Sequence, residues 1–316
     1  MSALAQWLNV PLPVFIAILA VYGILIFASL FIRILRARGV EAGELLARTR
    51  SWWVMVSLFT VAVFLYRPAS AIFLGLISYL ALKEYFSIIP TRKIDRVVVL
   101  LAYLAVPVQF WFAYRNDYGL FSVFIPVWMF LALPTVMAIK GETAGYLKSV
   151  GIMSWGLMMT VFTLSHMAYL LFSGDQVNPV AKGAGLLFFL VFVAQFNDVA
   201  QFTWGKLFGR HKITPQVSPK KTWEGFLGGV ATSIVVAGLI GPFLTPMDWR
   251  WAALSGGIIA VAGFLGDITE SAFKRDLGVK DAGSLIPGHG GILDRVDSLT
   301  YAAPVFTHFL RYFFYP

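Results

Sequence analysis

Ten stretches of this chain are apolar for longer than a soluble fold can use. The runs fall at about 12–32, 52–66, 69–89, 97–114, 119–139, 149–172, 184–205, 226–247, 250–266 and 300–314, and short polar connections separate them. A bilayer core needs ~20 apolar residues per helix, and most of these runs approach or reach that length. The second and last are short, so the pattern predicts an all-α, polytopic transmembrane bundle of nine or ten spans. Composition agrees: 59% of the 316 residues are hydrophobic and 13% charged, against roughly 25% charged in soluble proteins. With a mean hydropathy of +0.76, a water-soluble domain is excluded. The chain has no cysteine, which removes disulfides, thiolate metal sites and cysteine nucleophiles together. Any chemistry must use oxygen and nitrogen groups.

The net charge of +9 would suggest nucleic acid in a soluble protein, but the positions of the charges point to membrane topology instead. Alternating spans send segments 33–50, 90–96, 140–148, 206–225 and 267–299 to one side, and these hold 19 of the 25 Lys and Arg. The opposite connections contribute Arg67, Arg115, Lys182 and Arg250. The positive-inside bias therefore predicts that the first set is cytoplasmic and that both termini lie outside. The first run, Val14 to Ile32, has no basic segment before it and no small-residue cleavage site after it, so a retained helix is expected rather than a secretory signal. Nucleic acid is not an expected partner.

Residues 1–180 read as an N-terminal scaffold with short basic loops, Glu84 being the notable acid at the inner end of the third run. Residues 181–316 read as the catalytic region, with cytoplasmic loops 206–225 and 267–299. Segment 267–299 holds six of the sixteen acidic residues, with four basic ones and a histidine. If Gly266-Asp267-Ile268-Thr269-Glu270-Ser271 continues the ninth run as helix, Asp267, Glu270 and Ser271 share a face. A solvated helix end paired with Lys274 and Arg275 would show the same spacing. The next stretch favours a site. Ile286-Pro287-Gly288-His289-Gly290-Gly291 imposes a turn with approachable backbone amides, suited to phosphate. Ile292-Leu293-Asp294-Arg295-Val296-Asp297 then restarts a helix whose first turn places Asp294 and Asp297 on one side. Capping accounts for one such carboxylate better than for two. With Asp267 facing them, the three form an oxygen-only site for a hard cation such as Mg²⁺, which commonly takes one or two carboxylates and completes its shell with substrate phosphate.

A second cluster precedes the first. Asn197-Asp198 lies inside the seventh run, where an ionisable residue is costly and marks a functional candidate, although a carboxylate paired with a neighbouring cation is the plainer alternative. Downstream, Ser218-Pro219-Lys220-Lys221-Thr222-Trp223-Glu224-Gly225 offers hydroxyls, two ammonium groups and an aromatic face that could hold a nucleoside triphosphate. The same charges could simply be inside-positive loop residues. The Walker pattern is absent.

The string Ser271-Ala272-Phe273-Lys274-Arg275-x4-Lys280-Asp281-x-Gly283-x2-Ile286-Pro287-x-His289-Gly290-Gly291-x2-Asp294-Arg295-x-Asp297 resembles the signature of the phosphatidate cytidylyltransferases, or CDP-diglyceride synthases. The Ser218–Gly225 block and the Gly266-Asp267 element resemble two further family blocks, so the likeness is strong over about 190–300. It implies conversion of CTP and phosphatidate to CDP-diacylglycerol and pyrophosphate. The implied enzyme is a multispan homodimer of the bacterial inner membrane with its site facing the cytoplasm, using Mg²⁺, with K⁺ as a candidate second cation. By carry-over, Asp267, Asp294 and Asp297 are expected metal ligands. Ser218, Lys220 and Lys221 are expected on the triphosphate, and Lys274, Arg275 and Arg295 on the lipid phosphate or pyrophosphate. Asp198, Thr222, Glu224, Ser271, Lys280, Asp281, Gly290 and Gly291 complete the expected substrate-binding set. His289 is expected to orient its loop rather than act as a base, because a phosphate monoester near neutral pH needs little deprotonation. The block Asn197-Asp198-Val199-Ala200-Gln201-Phe202 keeps the family's Asp but differs around it, which suggests a divergent branch and a lipid phosphate acceptor related to phosphatidate.

Two rivals stand beside this reading. A CTP-dependent lipid-alcohol kinase would release CDP, and an ion-coupled transporter would use Asp198 as a midplane site. Asp267→Asn and Asp294→Asn are expected to abolish turnover with little loss of folded protein, and Asp95→Asn, in a short early loop, to be nearly silent in the same assay.

Overall fold

The computed structural model describes residues 10–39, 43–64, 67–283 and 290–315. Among them are ten long helices and one β-hairpin. The helices are α1 (Leu12–Ala37), α2 (Gly43–Phe64), α3 (Arg67–Ile88), α4 (Arg96–Arg115), α5 (Tyr118–Ile139), α6 (Tyr146–Gln176), α7 (Lys182–Phe208), α8 (Trp223–Leu244), α9 (Trp249–Asp276) and α10 (Leu293–Phe314). Between α7 and α8, β1 (Lys212–Thr214) pairs antiparallel with β2 (Ser218–Thr222). Every predicted apolar run corresponds to one of these helices. Eight of the ten are long and apolar enough to cross a membrane. The other two, α2 and α10, are the short runs of the sequence, and both carry charged residues near their N-terminal ends. This is an integral membrane protein.

Two spans are not plain α-helix. In α5 the turn Phe124–Met129 is π-helical and contains Pro126, which has no N–H to give and whose ring crowds the preceding turn; the wider turn absorbs both defects. In α6 the π-turn is Met158–Phe162, and Ser78 Oγ on α3 donates to the Thr160 carbonyl at 2.7 Å. A distorted turn in lipid needs such a substitute partner. The second half of α6, from Thr163 to Ser173, is buried almost all round, as is the start of α7 from Gly183 to Leu190. These two segments are the centre of the bundle. On the outside, Ile24 and Phe27 of α1 are 60% and 71% exposed, as a lipid-facing surface requires.

Helices α7, α8 and α9 pack along one another through small residues. On α8, Gly225, Gly229, Ser233, Ala237 and Gly241 are all buried, a four-residue spacing that makes one smooth stripe. A Cβ on Gly229 would overlap the Gln201 side chain of α7, and one on Gly256 of α9 would overlap Ala237 and stand 2.7 Å from the Ser233 carbonyl. Lipid tails are as apolar as leucine, so helix association here relies on close packing and polar contacts rather than on escape from water. Asn197, fully buried, supplies the polar contact: its Nδ2 donates to the Ala260 carbonyl at 3.2 Å, and its Oδ1 accepts from Ser233 Oγ at 3.3 Å.

The segments read as loops are more regular than expected. Helix α7 runs on to Phe208, and Glu224 and Gly225 already belong to α8. Helix α9 continues to Asp276, so Asp267 to Arg275 are helical. Asp95 needs correction. It is 1% exposed and held by Arg92 through Nε and Nη2, each at 2.8 Å. A buried carboxylate held by two nitrogens along one edge of a guanidinium is structural, so Asp95→Asn is expected to lower the thermal midpoint of the detergent-solubilised protein rather than to be silent. Gly256→Leu is expected to lower it by roughly 2–10 °C, the shift that an overpacking cost of about 1–3 kcal/mol implies.

Candidate functional site

The close contact of α7, α8 and α9 brings their polar ends together. Asp198 on α7 lies within electrostatic range of Lys221, Asp267 and Arg295, and its Oδ1 is buried with no hydrogen-bond partner. One turn on, Gln201 Oε1 accepts from Lys221 Nζ at 3.4 Å. The hairpin delivers that lysine. Thr222 caps α8 by accepting from the Gly225 N–H at 3.2 Å. Glu224 holds the entry to the hairpin, accepting the Arg210 N–H at 3.0 Å and pairing with His211 Nδ1 at 2.6 Å. Glu224 thus braces the hairpin. In β2, Lys220 is exposed while Lys221 turns inward, its side chain 20% exposed. Ser218 is half-buried on the same strand.

Lys221 Nζ reaches Asp267 Oδ2 at 2.5 Å. Burial disfavours its charge, but the carboxylates of Asp267, Asp198 and Asp297 outweigh that penalty and raise its pKa above the ordinary lysine value. On α9 the predicted face forms. Ser271 Oγ donates to Asp267 Oδ1 at 3.3 Å, and Lys274 bridges Glu270 at 3.0 Å and Asp294 at 2.6 Å. Glu270 is fully buried, and its Oε2 finds no hydrogen-bond partner.

Helix α10 comes against α9 because Gly266 has no side chain. A Cβ there would stand 2.5 Å from the Asp297 carbonyl oxygen. Asp297 is thereby set close enough to Asp267, Glu270 and Asp198 to repel them, while its Oδ1 accepts the Ser298 N–H at 2.8 Å. Asp294 is differently employed. Its Oδ1 meets Lys274, and its Oδ2 accepts from the Ala282 N–H at 2.9 Å and the Gly291 N–H at 2.8 Å. Gly290, with φ of +80°, provides the left-handed turn that presses its Cα side against Asp294. Asp294 therefore ties Ala282 and Gly291 to α9, whereas Asp198, Asp267 and Asp297 surround Lys221.

Other expected residues lie outside this knot. Arg275 is exposed and donates to the Val217 carbonyl at 3.3 Å and the Val279 carbonyl at 2.9 Å, fastening α9 to the tip of the hairpin. Lys280 and Asp281 are exposed just beyond α9. His289 and its neighbours Ile286 to Gly288 lie outside the described residues. Two participants escaped the sequence reading: Gln201 looked like an ordinary polar residue of a span, and Gly266 gave no sign of being a helix contact. Glu84 of α3, noted in the sequence only as an acid at the inner end of its run and assigned to the scaffold, accepts the Leu293 N–H at 2.8 Å from 209 positions away.

Five carboxylates, Asp198, Asp267, Glu270, Asp294 and Asp297, thus share a small region with Lys221, Lys274 and Arg295. The donor set is oxygen-rich. It defines a membrane protein with a polar, carboxylate-lined site where its packed spans meet. Its sequence places it further: residues 46–313 match the cytidylyltransferase family, and the chain belongs to that family, whose members transfer cytidylyl groups. It is 43% identical over 293 residues to the uncharacterized protein YnbB of Escherichia coli (strain K12), covering 92% of this chain and 96% of that one. It is 44% identical over 138 residues to the phosphatidate cytidylyltransferase of Haemophilus influenzae, covering 42% of this chain and 47% of the relative. The phosphatidate cytidylyltransferase of Mycobacterium leprae is 42% identical over 123 residues, 39% of each chain. The chain thus spans less than half the length of these two named enzymes, while it matches YnbB nearly end to end, which fits a divergent branch.

The different surroundings of Asp267 and Asp294 separate their variants. Asp267→Asn is expected to remove the charge opposite Lys221 and abolish activity with the thermal midpoint little changed. Asp294→Asn is expected to lose activity and also several degrees of thermal midpoint, because an amide cannot satisfy Lys274 and two backbone N–H groups together.

Proposed function

We propose that the protein is a CTP:phosphatidate cytidylyltransferase, taking phosphatidate or a closely related lipid phosphate and acting at the cytoplasmic face of a bacterial inner membrane. One observation carries this reading: Asp198, Asp267 and Asp297 converge on Lys221 at the ends of four packed helices, with Asp198 Oδ1 and Glu270 Oε2 unsatisfied. A carboxylate cluster with buried oxygens left unsatisfied suits a substrate delivered with a cation. In the reaction a phosphate oxygen of the lipid attacks the α-phosphorus of CTP, one P–O bond forms, the α–β P–O bond breaks, and pyrophosphate departs. The lipid supplies the nucleophile, so none is required of the chain.

Among the described residues no three Asp, Glu or His side chains are gathered tightly enough to hold a metal by themselves. The expected trio of Asp267, Asp294 and Asp297 is therefore not gathered as a metal site, Asp294 being taken up by Lys274 and two backbone N–H groups; the reading proposed instead is Mg²⁺ held by one or two carboxylates, with water and substrate oxygens in the rest of its shell. Asp267 and Asp297 are best placed to hold it, with Asp198 beside them; bound there, it would neutralise phosphate charge in the transition state. Asp294, occupied by three donors, supports the site from behind. Lys221, with exposed Lys220 and half-buried Ser218 on the same strand, is the natural contact for the triphosphate, since a rotating ammonium can leave a carboxylate for a phosphate oxygen. Arg295, between Asp294 and Asp297 on α10, is the proposed contact for the lipid phosphate. Lys274, locked between Glu270 and Asp294, holds the carboxylates in place. Rate then comes from positioning and charge neutralisation. A homodimer and a second site for K⁺ belong to the same proposal. The kinase and transporter readings find less support: the ionisable groups are gathered in one cluster beside a hairpin that carries Lys220 and Lys221, rather than strung along a path through the bundle.

The test is purified protein in mixed micelles with α-labelled CTP, Mg²⁺ and a panel of lipid phosphates and lipid alcohols. The expected products are CDP-lipid and pyrophosphate in equal amounts, lost in Lys221→Met. Release of CDP with a phosphorylated alcohol would replace this reading by the kinase.

A further inference from the structure

We propose that Glu84, on α3 of the N-terminal half, is a positioning residue for the site, holding Gly283, Gly291 and the start of α10 so that Asp294 and Asp297 stand where the reaction needs them. This rests on the cytidylyltransferase reading above. Glu84 Oε2 accepts the N–H of Leu293, the first residue of α10, at 2.8 Å. The same carboxylate lies against two glycines on opposite sides of residues 284–289. A Cβ on Gly283 would stand 2.8 Å from Oε1, and one on Gly291 would overlap Oε2. On the other side, Asp294 Oδ2 accepts the N–H groups of Ala282 and Gly291. Residues 282–283 and 290–293 are therefore pinched between two carboxylates, one from each half of the chain.

Each contact has a physical reason. The first N–H groups of a helix have no partner within it, and a carboxylate there is favoured by the helix dipole. The absence of side chains at Gly283 and Gly291 lets Glu84 come in that close. Its backbone is itself fixed by the next residue. Tyr85 is 3% exposed and donates from Oη to the Ile152 carbonyl at 2.9 Å. Its ring packs edge-on against Phe273 of α9 at 5.7 Å, and it lies so close to Gly156 that no Cβ would fit there. Phe273 adjoins Lys274, the residue that holds Asp294. The N-terminal helices thus reach the carboxylate knot by two parallel contacts, Tyr85 onto α9 and Glu84 onto α10.

Removing the partner of a site's supporting hydrogen bond typically costs 10–100-fold in activity or metal affinity. Glu84→Ala is expected to lower kcat by about 10–100-fold and to raise the Mg²⁺ concentration for half-maximal rate, with KM for CTP within about twofold. Glu84→Gln, which keeps an acceptor oxygen, should fall between it and wild type, and Lys83→Ala, on the exposed neighbour, should match wild type. Without nucleotide, lipid or Mg²⁺, hydrogen exchange of peptides covering 290–296 should be faster in Glu84→Ala than in wild type. Gly291→Ala should reproduce the loss in the wild-type background and add little in the Glu84→Ala background, because the collision partner is then gone. Wild-type kcat in Glu84→Ala, or unchanged exchange over 290–296, overturns the proposal, as does a loss confined to KM for CTP. If the wild-type protein makes no CDP-lipid, the activity reading fails by itself, and the exchange and Gly291 measurements still decide whether Glu84 holds this turn.

Discussion

The ion pair between Lys221 and Asp267 is the contact on which the polar site depends. Carboxylates gathered where membrane helices meet repel one another, and the more so the less solvent reaches them. Asp267, Asp198 and Asp297 can stand so near one another because an ammonium group lies among them. Lys274 does the same between Glu270 and Asp294, while Asp198 Oδ1 and Glu270 Oε2 stay buried without a hydrogen-bond partner.

Small residues make the cluster possible. Side chains cannot meet at a point unless the helices that carry them nearly touch, and in lipid nothing but packing and polar contacts draws helices together. The stripe on α8 from Gly225 to Gly241 and Gly256 on α9 allow three backbones to lie side by side, and Asn197 joins them near the level of Asp198. At the other contact, Gly266 is the residue immediately before Asp267, so the backbone that carries one carboxylate is also the one that admits α10 and Asp297. The positions of these glycines and acids are parts of one device.

The N-terminal half does more than enclose the rest. Its helix α6 forms the centre of the bundle, and hydrogen bonds cross to the later helices at both ends. At the end of α10 remote from the site, Arg311 donates to Tyr169 Oη at 2.9 Å and His308 Nδ1 meets Tyr118 Oη at 3.2 Å. At the end near the site, Glu84 meets Leu293. Helix α10 is therefore anchored to the N-terminal helices at its two ends, which suits an element whose first turn carries two carboxylates of the cluster.

Much of this was legible in the chain. Runs of apolar residues long enough for a bilayer specify helices whatever their partners, because an unpaired peptide group in hydrocarbon is too costly, and all ten appear. The shared face of Asp267, Glu270 and Ser271, and the helix restart that carries Asp294 and Asp297, follow from local periodicity. What periodicity could not supply was partnership. Asp294 and Asp297 look alike in sequence, yet one is consumed by Lys274 and two backbone amides while the other faces Asp267 and Asp198. Asp95 looked like a loop acid and is a buried ligand of Arg92. Lys220 and Lys221 differ only in which side of a short strand they occupy. The chain by itself determined the spans, their order and the presence of an ionised cluster in its second half, since these depend on neighbours a few residues away. Which carboxylate meets which cation, and the reach of Glu84 across 209 positions, were decided only by tertiary structure, because they depend on which helices can touch.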